Sequence, residues 1–259
     1  MDAGEPPVVV SHDDAITTLR LNRPAKMNAL NAPTRRMLID ALSRLPETTR
    51  CVVMTGTGRA FCAGQDLGDR AGGDVDLERT LSEEYEPLLR LIAECPVPTV
   101  AAVNGAAAGA GANLALAADI VVAAQSASFT QAFARIGLIP DAGGTHRLPR
   151  LVGQARAVGL SLLAEPLDAT RAAEWGMIWE VVPDDALAGH VAALARRLAD
   201  GPTLAYRLTK EALRAAAAND LDAQLALEAR LQGEAGRSRD FAEGVSAFLE
   251  KRPPRFEGR

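Results

Sequence analysis

Two glycine-rich segments constrain this chain more than any other feature. Phe61-Cys-Ala-Gly-Gln-Asp66 comes soon after the apolar run Cys51–Thr55, and the stretch from Asn104 to Leu114 (Asn-Gly-Ala-Ala-Ala-Gly-Ala-Gly-Ala-Asn-Leu) directly follows the apolar run Val97–Val103. Glycine and alanine at Ala63, Gly64, Gly109, Ala110 and Gly111 are what close backbone approach requires. Each segment reads as a place where a strand ends and exposed main-chain N–H groups face a ligand. If the two meet in space, their donors converge on one developing oxygen anion, an arrangement suited to thioester chemistry.

The rest of the chain supplies a frame for such a meeting. Thr17–Leu21 alternates apolar and polar residues and reads as a strand broken by Asn22-Arg-Pro24. Asn31 can cap a helix in which Met37, Leu38, Ala41, Leu42 and Leu45 recur at helical spacing. Residues 51–55 read as a buried strand ended by Gly56 and Gly58, 68–76 as a mobile loop, and 77–93 as a helix. Val97–Val103 is a further strand, Asn113–Ala118 reads as helical, and Asp119–Ala123 returns to strand. Strands alternating with helices at this interval imply crossover units and an α/β fold class. After about residue 200 the strand pattern stops. Residues 203–217, 221–235 and 238–251 favour helix, the last with Phe241, Val245, Phe248 and Leu249 on one stripe. The division expected is a core over 1–200 and a helical region over 201–259, the latter covering its own core or packing on another subunit.

Composition removes several function classes. With 259 residues and 48% hydrophobic residues the chain can bury a sizeable core. A net charge of −5 and no basic run argue against nucleic acid as the main partner. Cys51, Cys62 and Cys95 have no metal-ligand spacing and suit a reducing cytoplasm better than a disulfide framework. No stretch reaches transmembrane length without a charged or strongly polar interruption, and the opening residues do not read as a signal peptide, so a cytoplasmic protein without a membrane partner is expected. His12, His146 and His190 are scattered, and no metal site is expected.

The glycine segments admit other readings. The spacing around Gly109-Ala-Gly111 does not match a dinucleotide fingerprint, and no Walker lysine follows either segment. A helix beginning near Ala110 would aim unpaired N–H groups and its positive end at whatever precedes it. Tight turns alone would account for the same residues.

Four motifs stand in order: Arg23-Pro-Ala-Lys-Met-Asn-Ala-Leu30, Ala60–Asp66, Asn104–Leu114 and Ile139-Pro-Asp-Ala-Gly-Gly-Thr145. Together they resemble the crotonase (enoyl-CoA hydratase/isomerase) superfamily across nearly the whole chain. The resemblance implies a spiral of β-β-α units, a helical C-terminal trimerisation region giving a homotrimer or dimer of trimers, and an acyl-CoA thioester ligand. It implies no cofactor beyond the coenzyme A of the substrate. It also implies that the N–H groups of Ala63 and Ala110 hold the thioester oxygen. Lys26 and the segment Ala63, Gly64, Gln65, Asp66 and Leu67 would line the CoA groove, with Gly109, Ala110 and Phe133 also among the residues that bind the substrate. Lys251 and Phe256 would reach the CoA of an adjacent subunit.

Hydratases of this family use two glutamates, and here those places hold Asn113 and Phe133. Neither side chain can activate water, so ordinary hydratase activity is not expected. A carboxylate stands instead at Asp141, in apolar or backbone-only surroundings that would desolvate it and raise its pKa; capping of the next turn is the alternative role. A single base beside an anion hole suits isomerisation. The segments Phe133–Thr145, Leu148–Gly153, Trp175–Trp179, Ala235–Ser238 and Glu243–Leu249 are similar to the branch of the family that isomerises ring-epoxidised phenylacetyl-CoA. Trp175 and Trp179 are expected to be core anchors. A hydratase-like enzyme, an aryl-CoA dehalogenase with Asp141 as nucleophile, and a non-catalytic acyl-CoA- or RNA-binding relative are the competing readings.

Overall fold

The computed structural model describes residues 5–70 and 76–259. Among the described residues ten strands form two sheets. The larger has six strands, β1 (Val8–Asp13), β2 (Ile16–Leu21), β3 (Cys51–Gly56), β5 (Thr99–Val103), β7 (Ile120–Ala124) and β10 (Glu180–Val182), adjacent in that order. The smaller joins β4 (Ala60–Cys62), β6 (Ala106–Ala108), β8 (Ser128–Thr130) and β9 (Leu167–Asp168). Three successive stretches of chain thus give one strand to each sheet: β3 then β4, β5 then β6, β7 then β8. Both series run parallel, as Val100 opposite Val53 and Ala107 opposite Cys62 illustrate. Parallel neighbours need crossovers, and helices supply them.

The helices in chain order are α1 (Ala32–Ser43), α2 (Leu77–Thr80), α3 (Glu86–Ala93), α4 (Ala110–Leu116), α5 (Gly144–Val152), α6 (Gln154–Leu163), α7 (Ala169–Glu174), α8 (Leu187–Ala199), α9 (Thr203–Ala215), α10 (Leu221–Ala235) and α11 (Arg239–Glu250), the last four following the final strand. Asn31 caps α1 as its sequence position predicts, its side chain accepting from the Thr34 N–H. The helix expected over 77–93 is present with a five-residue π turn, Leu81–Tyr85, between α2 and α3. Of the loop expected over 68–76, residues 71–75 lie outside the described residues; Leu67–Arg70 forms a 3-10 turn and Asp76 caps α2.

The core lies between the larger sheet and its helices. Val52, Val100, Val103 and Val122 are buried on the central strands, and Leu38, Leu88 and Ile92 face them from α1 and α3. β3, β5 and β7 read as nearly unbroken apolar runs because both faces are covered. Past Gly201 the chain is helical until its tail. Lys210 on α9 ties this region to the core, its Nζ bonding the Cys95 and Val97 carbonyls and pairing with Asp119 at 2.6 Å.

Some expectations need correction. Strand β1 was not anticipated, because its Ser11, His12 and Asp13 break the apolar pattern; among the described residues it is an edge strand, with only β2 beside it. The Asp119 side chain bonds the Thr99 N–H and hydroxyl, and β7 begins one residue later. Trp175 is as expected: half-buried, it packs against the core, with the guanidinium groups of Arg156 and Arg171 4.6 and 5.0 Å from its ring. Trp179 is 72% exposed and anchors no core.

Candidate active site

The two glycine segments do meet. β4 and β6 lie side by side, which sets 61–66 against 104–114. Close packing then follows from residues without side chains. A methyl group at Gly64, which has φ of +91°, would come within 2.7 Å of the Ala108 carbonyl oxygen and 3.4 Å of the Ala110 nitrogen. A methyl at Gly111 would collide with the Cys62 carbonyl oxygen and lie 2.7 Å from its Sγ. Gly109, at φ 52° and ψ −127°, turns the chain from β6 into α4. Its N–H donates to the Thr130 carbonyl at 2.8 Å. Ala110 then opens α4, so its N–H has no acceptor within the helix. The Phe133 ring stands 3.7 Å from where a Gly109 side chain would begin and walls this corner.

The first segment leaves a different N–H unclaimed from the one expected. The Ala63 N–H donates to the Met27 carbonyl at 2.9 Å, so it is already committed. The Gly64 N–H faces the Cys62 thiol, whose pKa burial pushes up to about 12 against the opposing effect of that N–H. The Asp66 N–H donates to the Leu30 carbonyl at 3.1 Å, and the Leu30 N–H to the Gly64 carbonyl at 2.7 Å. These last two bonds make a parallel bridge between Leu30 and Gln65. In such a bridge one residue, here Leu30, makes both bonds to the neighbours of the other, and the N–H of that other residue, Gln65, points away. The Gln65 N–H is therefore the one of the four without an acceptor among the described residues, on a segment packed against Ala110.

Side chains fix this geometry. The buried Asn28 amide donates to the Thr57 and Ala60 carbonyls at 2.9 and 2.8 Å, joining the first motif to the start of the second. Arg23 pairs with Asp66 at 2.7 Å. Desolvation would raise the Asp66 pKa, but hydrogen bonds from Arg23 and the Gly68 N–H, with the charges of Arg23 and Lys26, together hold it below the usual carboxylate value. Lys26 is exposed in the 3-10 turn Pro24–Lys26, and Leu67 is exposed beyond Asp66.

Asp141 sits in the turn before α5, half-buried, with its Oδ1 out of solvent. Its main-chain carbonyl accepts from the Gly144 N–H and from the Asn113 Nδ2, both at 2.8 Å. Asn113 is fully buried on α4, one turn beyond Ala110, and its Oδ1 accepts from Gln131 Nε2 at 2.9 Å. Asn113 therefore does more than leave a glutamate's place empty: it ties Asp141 to the helix that Ala110 opens. A glutamate carboxylate there could not donate to the Asp141 carbonyl. The close packing of Gly144 against the Asn113 amide excludes any side chain at 144. These contacts span 18 and 28 residues of sequence, and no local pattern announces them.

Lys251 and Phe256 are not part of this cluster within one chain. The Phe256 carbonyl accepts from Arg50, at the start of β3, whereas the site gathers past its far end at Gly56. Among the described residues no group of three or more His, Cys, Asp or Glu side chains is placed to hold a metal ion. No helix there is long and apolar enough to cross a membrane.

Comparisons with known proteins agree on the lineage. The profile of the enoyl-CoA hydratase/isomerase family matches residues 11–259. A Rhodobacter capsulatus protein described as a probable enoyl-CoA hydratase is 60% identical, covering 95% of this chain and 96% of its own. The 1,2-epoxyphenylacetyl-CoA isomerase of Escherichia coli is 50% identical, covering 97% and 98%. Among solved structures, an enoyl-CoA hydratase from Bacillus anthracis superposes with a TM-score of 0.93 at 34% identity, covering 98% of this chain and all of that one. The two parallel strand series, the helical C-terminal region and these matches carry one conclusion: the chain belongs to the enoyl-CoA hydratase/isomerase (crotonase) family and has its α/β fold.

Proposed function

We propose that this protein is a CoA-thioester isomerase in which Asp141 moves one proton. The Gln65 and Ala110 N–H groups donate to the thioester oxygen. The Asp141 carboxylate takes a proton from carbon near the thioester, the negative charge passes to the held oxygen, and the proton returns at a different carbon. Atoms balance without water or a redox partner. Two convergent donors matter here because each is worth roughly 10²–10³ in rate when charge develops on that oxygen. The observation that carries the reading is the state of Asn113: its amide is engaged with Asp141 and Gln131, and with Phe133 at the second place no water-activating pair remains.

The epoxyphenylacetyl-CoA isomerase of E. coli, 50% identical over nearly full length, supports a ring-epoxidised phenylacetyl-CoA as substrate, with double-bond migration in an enoyl-CoA as a related activity. The CoA moiety runs past Lys26 and the Gly64–Leu67 segment. The exposed stripe of Phe241, Val245, Phe248 and Leu249 on α11 supports assembly of the helical region with further copies, as a trimer or dimer of trimers, in which Lys251 and Phe256 reach a neighbour's CoA. Three buried free thiols fit a reducing cytoplasm.

Hydration is the second reading, favoured by the R. capsulatus relative. The two separate by mass. Incubated with a 3-enoyl-CoA, the protein is expected to give the 2-enoyl isomer at unchanged mass. Rapid conversion of a 2-enoyl-CoA to a product heavier by one water would establish the hydratase instead.

A further inference from the structure

The network behind Gln65 is more elaborate than a turn requires. Its side-chain Oε1 accepts from the Tyr85 hydroxyl and from Arg35 Nη1, the latter at 3.0 Å. Arg35 is 2% exposed, and such a charge is costly to bury unless its donors are matched. They are matched by Glu84, at 2.7 Å from both Nε and Nη2, and by the Leu30 carbonyl at 2.8 Å. The guanidinium also lies 5.1 Å from the Tyr85 ring centre. Leu30 is the bridge partner of Gln65, so one guanidinium holds both sides of that bridge. Glu84 and Tyr85 both belong to or adjoin the π turn, an irregularity that recurs at functional sites. Tyr85 has its pKa raised, chiefly by burial and against the charge of Arg35. It remains a neutral donor to Gln65 at neutral pH.

We propose that Gln65 is held by Tyr85 and Arg35 as a positioning device, which aims the Gln65 main-chain N–H at the thioester oxygen and couples that aim to the helical wall over 77–93. The inference rests on the isomerase reading above. Tyr85 and Arg35 are positioning residues in this scheme, since they act through Gln65. A substrate that shifts the π turn alters the donor geometry as well as the pocket shape, which makes acyl-group selectivity a property of turnover as well as of binding.

The test uses phenylacetyl-CoA labelled with carbon-13 at its carbonyl and the infrared stretch of that carbonyl when bound. Two variants are compared, Tyr85→Phe and Gln65→Met; the second keeps the main-chain N–H and side-chain length but removes both anchors. Binding to the unmodified protein is expected to lower the stretch, and both variants are expected to return it toward the value in solution. In parallel, kcat for 3-enoyl-CoA isomerisation falls about tenfold or more, as misplacement of a reacting geometry predicts, while KM changes less than about twofold. If the unmodified protein lowers the stretch and Tyr85→Phe and Gln65→Met lower it equally, the positioning role is overturned and the isomerase reading stands. If the unmodified protein leaves the stretch unmoved, the donor pair itself is wrong and both fall. A loss confined to KM, with the stretch still lowered, makes the network a wall of the pocket only and overturns the proposal.

Discussion

In the proposed function the two glycine segments each offer one N–H to the thioester oxygen, but they prepare it differently. In the second segment the donor is a consequence of local structure. Gly109 turns the chain, a helix begins, and the first N–H of any helix lacks an internal partner. In the first segment the donor is the residue left over after long-range bonds have claimed its neighbours: Met27 takes Ala63, Leu30 takes Asp66, and the Cys62 thiol faces Gly64. Local geometry makes a donor that can be read from sequence. Pairing with a distant strand decides which of several similar N–H groups is free.

The largest expected effect removes the locally made donor. Proline is tolerated at the first position of a helix but has no N–H, so Ala110→Pro is expected to lower isomerase kcat by about 10²–10³ while the thermal melting transition is retained. An unchanged kcat would show that the second segment donates nothing. Gly111→Ala attacks the meeting of the segments instead. Its new methyl strikes the Cys62 carbonyl, and the resulting overpacking is expected to cost about 1–3 kcal/mol in chemical denaturation together with most of the activity. Full activity in this variant would mean that the segments need not touch.

Asn113→Leu removes the tie between the second segment and Asp141. It leaves the buried Gln131 amide without its acceptor, and a loss of about 1–3 kcal/mol in unfolding free energy is expected. Isomerase kcat should fall with it, and Asn113→Glu should not restore activity, because a carboxylate cannot donate to the Asp141 carbonyl. The smallest effect concerns the charged pair that only the first segment has. Because the Asp66 pKa is lowered in the folded protein, its stabilisation is present above the ordinary carboxylate range and is lost as pH falls through the lowered value. Asp66→Asn is therefore expected to be less stable than the parent near neutral pH, by about 1 kcal/mol or less, with the two melting curves converging in acid below about pH 4. A difference that persists in acid would assign the effect to packing rather than charge.

Much of the frame was legible in the sequence. The β3, β5 and β7 runs are apolar on both faces, Asn31 stands where a cap belongs, and the three C-terminal helices fall close to where periodicity puts them. The helix start at Ala110, with its unclaimed N–H, was legible for the same reason. The shift from Ala63 to Gln65 was not. Successive N–H groups of an extended segment point in alternate directions, and only the bridge to Leu30 sets which of them faces the site. Likewise Asn113 read as an absent glutamate, because its partner Asp141 lies 28 residues away. Strands β4, β6 and β8 have three residues each, too few for alternation to show.

Proton exchange at carbon tests the central claim most directly. A 3-enoyl-CoA incubated with the protein in deuterated water reports every proton that the enzyme removes and returns. The account predicts deuterium in the isomerised product, and a loss of about 10²–10⁴ in that rate for Asp141→Asn with an unchanged melting transition. Exchange that proceeds undiminished in Asp141→Asn would contradict it.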